Sequence, residues 1–442
     1  MGDWLPSTLR LTLMFYCIMS RSQSVYSFCG GQSEFCPKYQ LYPPLRIHPP
    51  RKSPHRLDPL SMKIKVGIVG LPNVGKSTLF NALSRKSIAQ AENFPFCTIE
   101  PNVALIAVPD PNLPALAALA ASNKAVPATM EFVDVAGLVA GASRGEGLGN
   151  RFLATIRECN AICHLVRYFD DNQIVHVDGR VDPRKDAEVV NLELVLADIA
   201  HIERRLEKTT CQGVERETLE SLLPELHKGI PARSVGLSPS GVFAIKSMGL
   251  LTLKPVIYVF NVDEVDFLLA KEDTMANAGQ IVGEIQYCDP SRATFTVVSA
   301  KLEAKIASLA DEKAQREYLV GMGVDLDDKA PLDDLMSYSV LPSMVKDLLN
   351  LFLVYTGPGV PPERSRTTKA YLFSKHQPPN CVQLAGRLHG DIQKGFIRAE
   401  VVPASVLLQY SNYNEARAGG AIRTEGKDST LNEDDVVMIK WR

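Results

Sequence analysis

Met62-Lys-Ile-Lys-Val-Gly-Ile-Val-Gly70-Leu-Pro-Asn73-Val74-Gly75-Lys76-Ser77-Thr78-Leu-Phe-Asn-Ala-Leu83 is the stretch that decides the fold. Ile64, Val66, Ile68 and Val69 read as a short buried strand, and Leu79 to Leu83 open a helix. Between them stands a complete G-x-x-x-x-G-K-S phosphate loop in the strand-loop-helix setting that such a loop needs. Its glycines let backbone N–H groups converge on phosphate oxygens, and the helix start adds a favourable dipole. Asn73, Val74, Gly75, Lys76, Ser77 and Thr78 are therefore the expected phosphate contacts. Lys76 supplies the point charge and Ser77 a hydroxyl for Mg²⁺. Asn73 is in addition a candidate ligand for K⁺, whose charge would help the transition state.

Working outward, Thr98 lies in a loop before the strand Val103 to Val108 and is expected to add a second hydroxyl to the metal. The strand Met130 to Val135 carries Asp134-Val-Ala-Gly137, where Asp134 reaches magnesium through water and the Gly137 N–H meets the terminal phosphate. Base contacts are expected after two further strands, at Asn261-Val262-Asp263-Glu264 and at Ser299-Ala300-Lys301. A guanine-specific site would read Asn-Lys-x-Asp, its Asp accepting from guanine's N1–H and 2-amino group. Here Val262 replaces the lysine and Glu264 the aspartate. A mismatched polar pattern costs about 1–3 kcal/mol, and adenine presents neither donor, so ATP is the expected nucleotide and GTP the rival. Leu138 stands where a water-orienting Gln is found in Ras-type enzymes. Hydrolysis is thus expected to be slow, with His176, Ser143 or Arg144 as candidates to act in its place. A nucleotide-gated ribosome- or RNA-binding protein with negligible turnover is the other alternative.

The chain has 442 residues, 45% hydrophobic and 22% charged, with nine cysteines. That excludes a small disulfide scaffold and a mainly disordered chain, and no apolar stretch reaches the length of a membrane span. A net charge of −2 hides an uneven distribution. Residues 1–61 hold seven Lys/Arg against three Asp/Glu and residues 364–442 twelve against eight, which leaves the body at −10. The first 61 residues, rich in Ser, Arg, Pro and Tyr, read as a leader: a plastid or mitochondrial transit peptide, a secretory signal, or a segment ahead of a true start at Met62. Localisation is cytoplasmic without it and organellar with it. Leu192, Val195, Ile199, Ile202 and Leu206, then Leu219, Leu222, Leu223 and Leu226, form two apolar stripes at helical spacing, as in a projecting helical hairpin. The last strand, Val436 to Trp441, alternates weakly, so an altered C-terminal edge is expected.

Together, Gly70-Leu-Pro-Asn-Val-Gly-Lys-Ser-Thr78, Asn93-Phe-Pro-Phe-Cys-Thr-Ile-Glu-Pro-Asn102, Asp134-Val-Ala-Gly-Leu-Val139, Gly145-Glu-Gly-Leu-Gly-Asn150 and His176-Val-Asp-Gly-Arg-Val-Asp-Pro183 closely resemble the Obg-like ATPase (YchF-type) family of P-loop NTPases. Ala385-Gly-Arg-Leu-His-Gly-Asp-Ile-Gln-Lys-Gly-Phe-Ile-Arg-Ala-Glu400 resembles its C-terminal TGS domain, a β-grasp module. The resemblance implies an α/β P-loop NTPase G domain over 62–185 and 250–350, a helical hairpin insert over 186–249 and a TGS domain over 366–442. It implies Mg²⁺ held by Ser77 and Thr98, base contact at Val262, a preference for ATP, slow hydrolysis, and binding to the ribosome and its RNA by a monomer without membrane attachment.

Overall fold

The computed structural model describes residues 63–91, 102–135, 148–171, 174, 176, 179–286, 288, 294–309, 311–324, 332, 336–357 and 367–442. The leader, Thr98, Gly137, Leu138, Ser143, Arg144 and residues 358–366 lie outside them.

Strand β1 (Lys65–Val69) runs parallel to β4 (Thr129–Asp134) on one side and β5 (Ala161–Arg167) on the other. The sheet continues through β6 (Val256–Asn261) and β7 (Thr294–Val298), both parallel, and ends at its far edge in antiparallel β2 (Val103–Ala107). The order is β2-β4-β1-β5-β6-β7. β5 and β6 are buried at every position, as central parallel strands covered on both faces must be. Helices α1 (Lys76–Ala91), α2 (Asn112–Leu119) and α3 (Leu148–Glu158) belong to the first half. The order reverses beside β1, and in open α/β sheets such a reversal opens a crevice at the carboxyl ends of the strands.

Helix α4 (Pro183–Leu206) begins at an Asp182 cap, whose side chain accepts from Lys185 N, with Pro at the first helical position. It belongs to two cores. Ala187, Val190, Leu194 and Ala197 pack into the main core, while Val195, Ile199 and Ile202 meet Leu219, Leu222 and Leu226 of α5 (Gly213–His227) in a separate apolar cluster. The hairpin of α4 and α5 is therefore present, but Leu192 does not share in the buried stripe and is 51% exposed. A helix buried along two faces has no single stripe, and position 192 falls between them. Charges are drawn inward instead: Asp198, fully buried, accepts from Arg157 Nη1 at 3.1 Å, Leu251 N at 3.0 Å, Thr252 N at 2.8 Å and Thr252 Oγ1 at 2.8 Å. A buried carboxylate so fully compensated ties the insert to the end of α3. The short α6 (Pro239–Ile245) completes the insert. Beyond it α7 (Glu264–Leu269), α8 (Lys271–Glu284), α9 (Ala300–Ile306), α10 (Glu312–Gly321) and α11 (Ser337–Leu348) return to the first sheet.

The second sheet has the order β11-β10-β12-β8-β9-β3. Hairpin β8 (Leu351–Thr356) and β9 (Thr367–Ser374) is followed by helix α12 (Cys381–Leu388), then β10 (Phe396–Pro403), β11 (Arg423–Glu425) and β12 (Asp435–Trp441). β12 runs parallel to β8 and antiparallel to β10. A mixed sheet gripping one helix in this way is a β-grasp arrangement. β12 is no edge, contrary to its weak alternation: both sides are paired, so its residues Asp435 to Met438 are buried whichever face they take. Leu351, Leu353 and Tyr355 face the main core, and Phe352 and Val354 face α12 through Leu384 and Ala385. The outermost strand, β3 (Lys124–Val126), comes from the first half of the chain and pairs parallel with β9.

Candidate functional site

β1 delivers the phosphate loop to the crevice, and α1 starts at Lys76. A cavity of about 570 Å³ opens there, lined by Asn73, Gly75, Lys76, Ser77 and Thr78 at one end and by Asn261, Val262, Asp263, Ala300 and Lys301 at the other. The volume is that of a nucleotide-sized pocket. Lys76 is 7% exposed, and its Nζ donates to Gly70 O at 3.0 Å and Leu71 O at 2.6 Å. Burial pushes its ammonium down to about 8, against the opposing pull of Asp134. Asp134, at the end of β4, is raised by its own burial and lowered by Lys76. Its Oδ1 is buried without a hydrogen-bond partner among the described residues. An orphaned carboxylate oxygen near a hydroxyl-bearing loop supplies the hard oxygen donors that Mg²⁺ takes, so Ser77 and Asp134 fit that ion.

At the base end Asn261 braces two loops. Its Nδ2 donates to Val74 O at 2.9 Å, and Ala300 N donates to its Oδ1 at 2.9 Å. This explains Gly75: it has φ +96°, and a Cβ there would stand 2.3 Å from Asn261 Nδ2. Val262, 2% exposed, is fixed by its N–H to Val298 O at 2.9 Å. Asp263 lines the cavity while its Oδ1 caps α7 through Asp266 N at 2.8 Å.

The structure thus gathers most of the residues expected from sequence, with four placed differently. Glu264 lies in the adjoining cavity and pairs with Lys301 Nζ at 3.2 Å. Ser299 is fully buried behind the wall, and Val74 is buried beneath the loop. His176 is 9% exposed and stands 2.9 Å from Asp186 Oδ2 at the start of α4, away from the cavity lining. Sequence reasoning missed Phe169, Asp170, Asp171 and Ile174, which complete the lining from the loop after β5. The available signal was position alone: an aromatic and two acids just past the carboxyl end of a central strand, where ligands of such sheets bind.

Comparison with known proteins accords with this geometry. A family model described as 50S ribosome-binding GTPase matches residues 65–204. The YchF-GTPase C-terminal model, described as "Protein of unknown function (DUF933)", matches residues 366–442. A ribosome-binding ATPase YchF of Haemophilus ducreyi is 41% identical over 388 residues, covering 86% of this chain and 99% of the relative. That of Bacillus subtilis is 39% identical over 389 residues, covering 86% and 100%. The chain belongs to the YchF family. A solved YchF structure from Schizosaccharomyces pombe, described as a GTPase, superposes with a TM-score of 0.69 at 31% identity, covering 86% of this chain and 98% of that one. YchF membership makes the protein a P-loop nucleotide hydrolase by family, in agreement with the loop at Gly70 to Thr78.

Proposed function

We propose that this YchF protein is a Mg²⁺-dependent ATPase that acts as a slow nucleotide switch on the ribosome. The observation that carries the reading is the single cavity that runs from Lys76 and Ser77 to Val262 and Lys301. In it Val262 stands where a guanine-specific site has its lysine, and Glu264, absent from the lining, pairs with Lys301, which borders both this cavity and the adjoining one. Of the carboxylates on the lining, Asp263 caps α7 through its Oδ1, and Asp170 and Asp171 come from the loop after β5 and not from the position of a guanine reader. Guanine's N1–H and 2-amino group would therefore lack their usual acceptor, a loss of about 1–3 kcal/mol that adenine does not suffer.

Lys76 would leave Gly70 O and Leu71 O for the outer phosphates, and its charge would offset what develops there as water attacks in line. Ser77 and Thr98 would hold Mg²⁺ and Asp134 would reach it through water; the ion supplies charge neutralisation between the outer phosphates. Gly137 would meet the terminal phosphate. K⁺ at Asn73 is a separable part of the reading, tested by comparing turnover in K⁺ and Na⁺ at constant ionic strength. His176, held by Asp186, is better suited to fixing the start of α4 than to orienting water. The relatives named ribosome-binding support a ribosomal partner; ribosomal RNA as the contact for the basic tail and a monomer as the acting form are our own extension of that reading. Among the described residues no helix is long and apolar enough to cross a membrane. We place the protein with its ribosomes, in the cytoplasm or, if residues 1–61 direct import, in an organelle.

GTP hydrolysis is the second reading, favoured by the GTPase description of the S. pombe structure. Competition of ATP and GTP against a fluorescent nucleotide decides between them: ATP should win, and a tenfold advantage for GTP would sink the adenine argument. Turnover with and without ribosomes then separates a slow switch from a nucleotide-gated binder with negligible hydrolysis.

A further inference from the structure

A second cavity, of about 590 Å³, adjoins the nucleotide cavity where α1 packs against α9. Ala82 of α1 and Ala304 of α9 are the small residues on its walls, and they leave open a space that longer side chains would close. Thr78 and Arg85 stand two helical turns apart on α1, Lys301 and Lys305 one turn apart on α9, and all four line this cavity. Thr78 also lines the phosphate end of the nucleotide cavity, and Lys301 its base end. The border between the two cavities therefore runs past the middle of the first, at the level of a bound nucleotide's sugar.

Its charge is one-sided. Among the described residues Glu264 is its only carboxylate, and Lys301 Nζ neutralises that at 3.2 Å. Arg85 and Lys305 remain, and among the described residues no carboxylate pairs with either. The Lys305 ammonium lies 5.9 Å from the centre of the Tyr318 ring, a contact that steadies its charge without cancelling it. Two uncompensated cations in a concave site focus a positive potential. A guanidinium fork beside an ammonium suits phosphate, which takes paired N–H donors from the one and a point charge from the other. Neither cation is on the lining of the nucleotide cavity, so binding an ordinary nucleotide gives them no task.

We propose that this cavity is a second phosphate subsite, in which Arg85 and Lys305 hold a phosphate beside the sugar of the bound nucleotide. That phosphate is carried either on a ribose hydroxyl of the nucleotide itself or by a separate ligand. The subsite rests on the nucleotide reading of the first cavity and deepens it, because it would tell an ordinary nucleotide from one with a phosphate next to its sugar. Charge-assisted hydrogen bonds to one phosphate strengthen binding about ten- to a hundredfold.

The test measures calorimetric affinities of the full chain in Mg²⁺ for ADP, for ADP carrying a further phosphate on its 2′- or its 3′-hydroxyl, and for inorganic phosphate added to ADP-saturated protein. A phosphate on the sugar should tighten binding about ten- to a hundredfold over ADP. Arg85→Ala and Lys305→Ala, both at exposed helix positions, should each remove most of that gain and leave ADP affinity within about twofold. If the gain is absent but Arg85→Ala weakens inorganic phosphate binding by about tenfold or more, the subsite serves a separate phosphate. No gain from either sugar phosphate, together with inorganic phosphate binding that Arg85→Ala leaves unchanged, would overturn the proposal, as would a gain that persists in both variants. Failure of the unaltered protein to bind ADP would overturn the nucleotide reading itself, a distinguishable result.

Discussion

The phosphate end of the cavity is written in nine consecutive residues, Gly70 to Thr78, whereas the base end is assembled from loops that follow three different strands, β5, β6 and β7. Asn261 joins the two ends through a bond to Val74 that spans 187 residues. Phosphate is gripped by backbone N–H groups and one lysine, which a short motif can fix; a purine is gripped by surfaces that only tertiary structure brings together. Altering the first end should abolish chemistry, and altering the second should change affinity and selectivity.

The largest expected effect is at the phosphate end. Lys76→Ala should lower turnover about a hundred- to a thousandfold, measured as phosphate release under multiple turnover. A rate within tenfold of the unaltered protein would move the charge stabilisation elsewhere.

Behind the base wall, α9 hides Glu303, which accepts from Ser337 N at 3.1 Å and from the Ser337 hydroxyl. Burial raises its carboxyl to about 7, with Ser337 opposing. Between about pH 4.5 and 7 the folded state thus holds a proton that the unfolded chain has released, so this group costs stability as pH rises. Glu303→Gln should match the unaltered protein near pH 4 and exceed it by roughly 3 kcal/mol above pH 7. Denaturant melts at three pH values check this, and a gain that shrinks with rising pH would show the sign to be wrong.

Asn261→Ala strands Val74 O and Ala300 N at once, and should cost about 1–3 kcal/mol of stability together with ATP affinity. If affinity falls with no change in the melt, Asn261 touches the base rather than bracing the loops. The smallest effect is expected at Glu264. Its partner Lys301 has a side chain 81% exposed, so Glu264→Gln should change stability by less than about 1 kcal/mol and leave the ATP-to-GTP preference within about twofold. A larger swing in preference would return Glu264 to the role of base reader.

How much of this was legible follows the same division. The loop Gly70 to Thr78 and Asp134 at the end of β4 follow from local pattern, because short apolar runs that end in Gly or Asp leave few alternatives. Glu264 was misplaced because sequence spacing does not reveal that Lys301, in the first turn of α9, competes for it. Phe169 and Ile174 were missed because nothing in their spacing shows that Arg167, buried at the end of β5, donates to their carbonyl oxygens or that their side of the loop meets the cavity. The stripe through Leu192 failed for a related reason: periodicity assumes one buried face, and α4 has two.

The position of β8 bears on how this chain can be cut. The family border falls at residue 366, yet residues 351–356 are the plank between β12 and β9, and residues 124–126 form the outer rail beside β9. Scissors applied at 366 would take the middle out of the sheet they were meant to release. The tail is therefore not a cassette to be swapped between relatives; an exchange that keeps it whole has to begin before Leu351 and carry a matching rail for β9.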